Sequence, residues 1–103
     1  MLERLRRLLA REPITEKKMF GGHCLLYQGN MLCGVHKDGT LMMRMGKELE
    51  PEARKLPGAS DMTFTGRKMG GLLYVDLDAV ETDAALQEWL DICLRFTRSL
   101  PAK

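Results

Sequence analysis

The stretch Cys24-Leu25-Leu26-Tyr27-Gln28-Gly29-Asn30-Met31-Leu32-Cys33-Gly34-Val35-His36-Lys37-Asp38-Gly39-Thr40-Leu41-Met42-Met43-Arg44-Met45 decides how this chain folds. Two turn signals, Gln28-Gly29-Asn30 and Lys37-Asp38-Gly39, cut it into apolar runs, the pattern of an antiparallel meander beginning near Lys18. A two-residue loop at Asp38-Gly39 sets Lys37 opposite Thr40, Val35 opposite Met42 and Cys33 opposite Arg44. A matching loop at Gln28-Gly29 sets Cys24 opposite Cys33 and Leu26 opposite Met31. One face then shows Cys24, Leu26, Met31, Cys33, Val35 and Met42, and the other shows Leu25, Tyr27, Leu32, Leu41, Met43 and Met45. Both faces are largely apolar.

Leu2, Leu5, Leu8 and Leu9 precede the meander at helical spacing and give an amphipathic helix that ends before Pro13, with Arg4, Arg7 and Arg11 on its polar side and a Glu3–Arg7 pair. After the meander, Lys47 to Leu56 reads as a short helix closed by Pro57-Gly58. Met62-Thr63-Phe64 and Leu72-Leu73-Tyr74-Val75 flank a glycine-rich segment and form a second hairpin, with Gly66 to Gly71 as an irregular connection. Thr82 or Asp83 caps a last helix whose buried stripe is Leu86, Trp89, Leu90, Cys93, Phe96 and Leu100. The expected order is helix, three strands, short helix, two strands, helix, an α+β domain.

A chain of 103 residues, 45% hydrophobic and 29% charged, fits one globular domain spanning 1–103. No apolar run is long enough to span a bilayer and the N-terminus lacks a signal pattern, so a cytoplasmic location is expected. The three cysteines, Cys24, Cys33 and Cys93, contain no C-x-x-C pair and read as free thiols. A net charge of +2 does not by itself imply nucleic-acid binding. The charge is uneven, however: the first helix is basic and the segment from Met69 to Leu94 carries only acidic charges, so these two regions either attract each other or serve different partners.

Thr15-Glu16-Lys17-Lys18-Met19-Phe20-Gly21-Gly22, Gly29 to Val35, Met43-Arg44-Met45-Gly46, Met62 to Met69, Tyr74-Val75-Asp76, Trp89 and Phe96 to Pro101 together resemble the TfoX/Sxy family, in its stand-alone TfoX N-terminal-domain form. The resemblance covers almost the whole chain. It implies a two-layer domain with an antiparallel five-stranded sheet, helices on one face, a regulatory role in bacterial competence or transcription, and no enzyme chemistry.

Candidate sites are few. His23, Cys24, Cys33 and His36 mimic a zinc set, but adjacent and three-apart residues on strands point to opposite faces, so no metal and no cofactor is expected. Cys24 or Cys33 beside Arg44 would serve a redox protein or enzyme, yet neither has a histidine on its face. Arg67 and Lys68 in the glycine-rich segment are candidates for holding an anion, without the order of a phosphate loop. Arg4, Arg7 and Arg11, with Lys17, Lys18 and Arg67, form the alternative nucleic-acid surface. Because helices cover one sheet face only, Met31, Cys33, Val35 and Met42 on the other are expected to form a homodimer interface, with Arg44 compensated by Glu48 or Glu50. The leading expectation is a regulatory or adaptor domain that works by protein contact and is not an enzyme.

Overall fold

The computed structural model describes residues 1–19, 21–64 and 66–102, with the side chains of residues 63, 64 and 67–69 outside the description. The elements are α1 (Leu2–Leu8), β1 (Ile14–Met19), β2 (Gly22–Tyr27), β3 (Asn30–His36), β4 (Leu41–Arg44), α2 (Gly46–Ala53), β5 (Ala59–Phe64), β6 (Arg67–Val75), a 3₁₀ turn (Leu77–Val80) and α3 (Asp83–Arg98). The strands form one sheet of six, in the order β1-β2-β3-β4-β6-β5, and every pairing is antiparallel.

The expected five strands become six because Ile14–Met19 is a strand. Its interior, Thr15-Glu16-Lys17-Lys18, has no apolar alternation and is exposed throughout. The segment is nonetheless paired with β2 from Ile14↔Tyr27 to Met19↔Gly22. It forms one edge of the sheet, where lysines discourage pairing with another chain, so the missing alternation reflects its position. In the second hairpin, most of the glycine-rich segment expected to be a connection is the first half of β6. Thr63 pairs with Lys68 but Asp61 pairs with Leu73, leaving extra residues on β6 around Gly70 and Gly71.

The meander keeps its turns but shifts its register. The loop after β3 has three residues: His36 N–H donates to Thr40 O (2.8 Å), Gly39 N–H donates to His36 O (2.8 Å), and Gly39 has φ +92°. That is a turn closed by a left-handed residue, a conformation glycine adopts without steric cost. One added loop residue flips the pairing, so Val35 faces Leu41, Gly34 faces Met42 and Cys33 faces Met43. A further shift between Leu25 and Leu26 sets Leu25 opposite Cys33 and Cys24 opposite Gly34, while Leu26↔Met31 stands as expected. Cys33 therefore faces neither Cys24 nor Arg44.

All three helices lie on one sheet face. The core there joins Leu5 and Leu9 of the N-terminal segment, Leu25, Leu32, Cys33, Leu41, Met43 and Leu73 of the sheet, Ala53 of α2, and Leu86, Trp89, Leu90, Cys93 and Leu94 of α3. Thr82 caps α3, its Oγ1 accepting from Ala85 N–H at 3.1 Å. The stripe on α3 is wider than the spacing suggested, with Ile92, Leu94 and Thr97 buried and Phe96 only half-buried.

The opposite face, expected to be open, holds a second core: Cys24, Leu26, Met31, Met42, Met62 and Leu72, with Met19 and Tyr74 against it. Strands alone supply these residues, yet Met42 is 0% and Met31 6% exposed. The pairing shifts between Leu25 and Leu26 and between Asp61 and Thr63, on two of the strands that carry this core.

A close node joins the two layers where β4 runs into α2. Gly46 has φ +78°, and a Cβ there would stand 2.4 Å from Phe96 Cε1. A Cβ on Gly71 would meet the Gly46 backbone at 2.9 Å. Met45 N–H donates to Gly71 O (3.0 Å) and Gly71 N–H donates to Glu50 Oε1 (2.8 Å). Glycine at both positions lets α2, β6 and α3 meet in contact.

Candidate functional site

Two of the guanidinium groups singled out as a nucleic-acid surface, Arg4 and Arg7, are engaged within the chain. Arg4 donates to Val80 O (2.9 Å) and Asp83 Oδ1 (3.2 Å), and Arg7 lies 3.0 Å from Asp83 Oδ2. The basic first helix and the acidic start of the last helix thus hold each other. Glu3 pairs with Arg6 in place of the expected Arg7. Arg6 also donates to Glu16 of β1 from Nε and Nη2, at 2.6 and 2.8 Å. Hydrogen bonds from Arg7 and then Arg4 hold the Asp83 carboxyl below its usual range, and the bond from Arg6 does the same to Glu16. Arg11 forms no ion pair among the described residues. The side chains of Arg67 and Lys68 lie outside the described residues, so the expected anion pair there has no structural account.

Arg44 is half-buried. It stacks on the Phe96 ring, 5.1 Å from its centroid, and Nη1 donates to Met31 O at 3.4 Å. An aromatic face and a carbonyl stabilise the charge, in place of the expected Glu48 or Glu50.

The cysteines are all buried. Burial pushes the Cys24 thiol up, and pushes Cys33 and Cys93 well above the ordinary range, the opposite of what a nucleophile requires. Cys24 Sγ lies 3.7 Å from Met19 O, and Cys93 Sγ lies 3.8 Å from Met43 Sδ. No group of three His, Cys, Asp or Glu side chains converges as a metal site among the described residues.

The expected dimer surface is also interior. Met31 and Met42 belong to the core on the face away from the helices, Cys33 belongs to the helix-side core, and Val35 packs against the helix side half-buried. A sheet face without helices is here a buried one, with Met31 6% and Met42 0% exposed.

Sequence reasoning missed an open cleft of about 690 Å³ at one end of β1, β2 and β3, lined by Leu2, Lys18, Met19, Gly21, Gly22, His23, Val35, His36 and Lys37. Pairing creates it: Lys18 faces His23 across β1 and β2, and Gly22 faces His36 across β2 and β3. His36 Nδ1 lies 3.1 Å from Asp38 Oδ1, while Nε2 would be 3.0 Å from a Cβ on Gly21. Hydrogen bonds from Thr40, and then the neighbouring His36, hold the Asp38 carboxyl below its usual range. The cleft was hidden because its histidines were weighed only with the cysteines, and because Lys18 was read at the start of the meander and not on a separate strand opposite His23.

These features define a small α+β domain: three helices on one face of an antiparallel six-stranded sheet among the described residues, interior thiols, and a basic cleft at one end. A family model, the TfoX N-terminal domain, matches residues 4–97, and the chain belongs to that family. No curated protein matches the chain. Among the described residues, no helix is long and apolar enough to cross a membrane.

Proposed function

We propose that this chain is a cytoplasmic regulatory or adaptor domain that acts by protein contact, in bacterial transcriptional or competence regulation, and has no enzymatic activity of its own. Membership of the TfoX N-terminal domain family across residues 4–97 carries this reading. The clasp of Arg4 and Arg7 on Asp83 weighs against the nucleic-acid alternative, because a carboxylate of the fold already offsets part of their charge and fewer counterions are released from a phosphate backbone. Raised thiol pKa values and burial weigh against the redox alternative. The burial of Met31 and Met42 weighs against a homodimer built on their sheet face.

The test is transcript profiling of a bacterial strain lacking the chain, paired with titration of the purified chain against DNA and RNA at low salt. The expected result is a defined set of altered transcripts, restored by the intact chain, together with no binding to either nucleic acid. Unchanged transcripts, or tight binding that falls steeply with salt, would overturn the proposal.

A further inference from the structure

We propose that the cleft between the ends of β1, β2 and β3 binds a small organic anion, a carboxylate or phosphate group carried on an apolar body. At about 690 Å³ it has the volume of a small-molecule site. Leu2, Met19 and Val35 supply apolar lining, and Lys18, Lys37, His23 and His36 supply cationic or hydrogen-bonding heads.

The charge balance sets this cleft apart from two other concavities among the described residues. Among the described residues no carboxylate lines it, and Lys18 and Lys37 form no ion pair. Two acids beside its lining residues in the sheet are already engaged: Asp38 accepts from Thr40 N–H at 2.9 Å and lies against His36, and Glu16 accepts from Arg6 Nε and Nη2. By contrast, the concavity beside Arg95 includes Glu48, and the one beside Arg11 includes Glu12 and Asp91, so cations there meet acids of the protein itself. An external anion is what would balance the lysines of the first cleft. Apolar lining with cations at its margin selects a ligand that carries its charge at one end. Binding at the cleft neither requires nor excludes a protein partner, so this proposal and the regulatory one fail separately.

Amide NMR titrations with 4-phenylbutyrate, phenyl phosphate and the neutral 4-phenylbutanol test it. At least one anion should shift the Gly21, Gly22, His23 and His36 amides saturably, while the alcohol at equal concentration leaves them in place. Whichever anion binds more tightly identifies the head group. Lys18→Ala combined with Lys37→Ala should weaken binding about fivefold, the sum of two exposed charge contacts. Both lysines are exposed, so the variant should keep the remaining spectrum. No shift with either anion, an equal shift with the alcohol, or undiminished affinity in the double variant would overturn the proposal.

Discussion

Gly46→Ala probes the junction of sheet and helices, and a second glycine in the same chain provides its control. Gly46 sits at φ +78° with Phe96 carbons 2.4 and 2.5 Å from the position a Cβ would take. The left-handed backbone alone costs an L-residue about 1–2 kcal/mol. Forcing a methyl into a packed contact adds about 1–3 kcal/mol, so Gly46→Ala should cost about 2–5 kcal/mol in total. Gly39 has φ +92° with nothing within 4 Å of its Cβ position, so Gly39→Ala should show the backbone cost only, about 1–2 kcal/mol. The difference isolates the steric contact. In a Phe96→Ala background that contact disappears, and the Gly46→Ala cost should fall to the Gly39→Ala level. Urea denaturation followed by far-UV circular dichroism measures all the variants. Equal costs for Gly46→Ala and Gly39→Ala, or no coupling between positions 46 and 96, would refute the reasoning.

Trp89 is 1% exposed in the helix-side core, so Trp89→Ala should lose about 3–5 kcal/mol in the same assay; a loss below about 1 kcal/mol would show the helix misplaced. Asp83 and Glu16 have depressed pKa values in the folded state, so their contribution is complete above the unfolded carboxylate range of about pH 4 and is lost as pH falls through the folded values. Asp83→Asn should accordingly lower stability at neutral pH and bring little further change in strong acid, as read by denaturation midpoints at each pH. The native thiols should react with a disulfide reagent far more slowly than the same thiols in urea, since burial raises their pKa; equal rates would contradict the packing.

Helices, turns and the α+β class were legible because each left a local mark: leucines at helical steps in α1, Thr82 ahead of α3, and glycines at the turns. The strand Ile14–Met19 was not legible, because an exposed edge strand carries no apolar alternation and is specified by its neighbour. Register failed at Asp38-Gly39 for a related reason. A turn signal announces that the chain reverses, but loops of two and three residues use similar residues and give opposite faces. Cys33 and Val35 consequently moved to the helix side, while Cys24, Leu26, Met31 and Met42 stayed together. The burial of the second face was the deepest omission, since the residues that form it come from five strands and no single local motif marks them. The basic cleft depends on three strand ends and one helix start, so no local motif announced it.

Regulation by protein contact is tested most directly by photo-crosslinking in living bacteria, with a light-activated residue placed in turn at the exposed positions Lys17, Lys37, Lys47, Ala84 and Arg95. The account predicts a discrete adduct with one protein from neighbouring positions on a single surface, unchanged by nuclease. Adducts removed by nuclease, or no protein adduct from any of these positions, would contradict it.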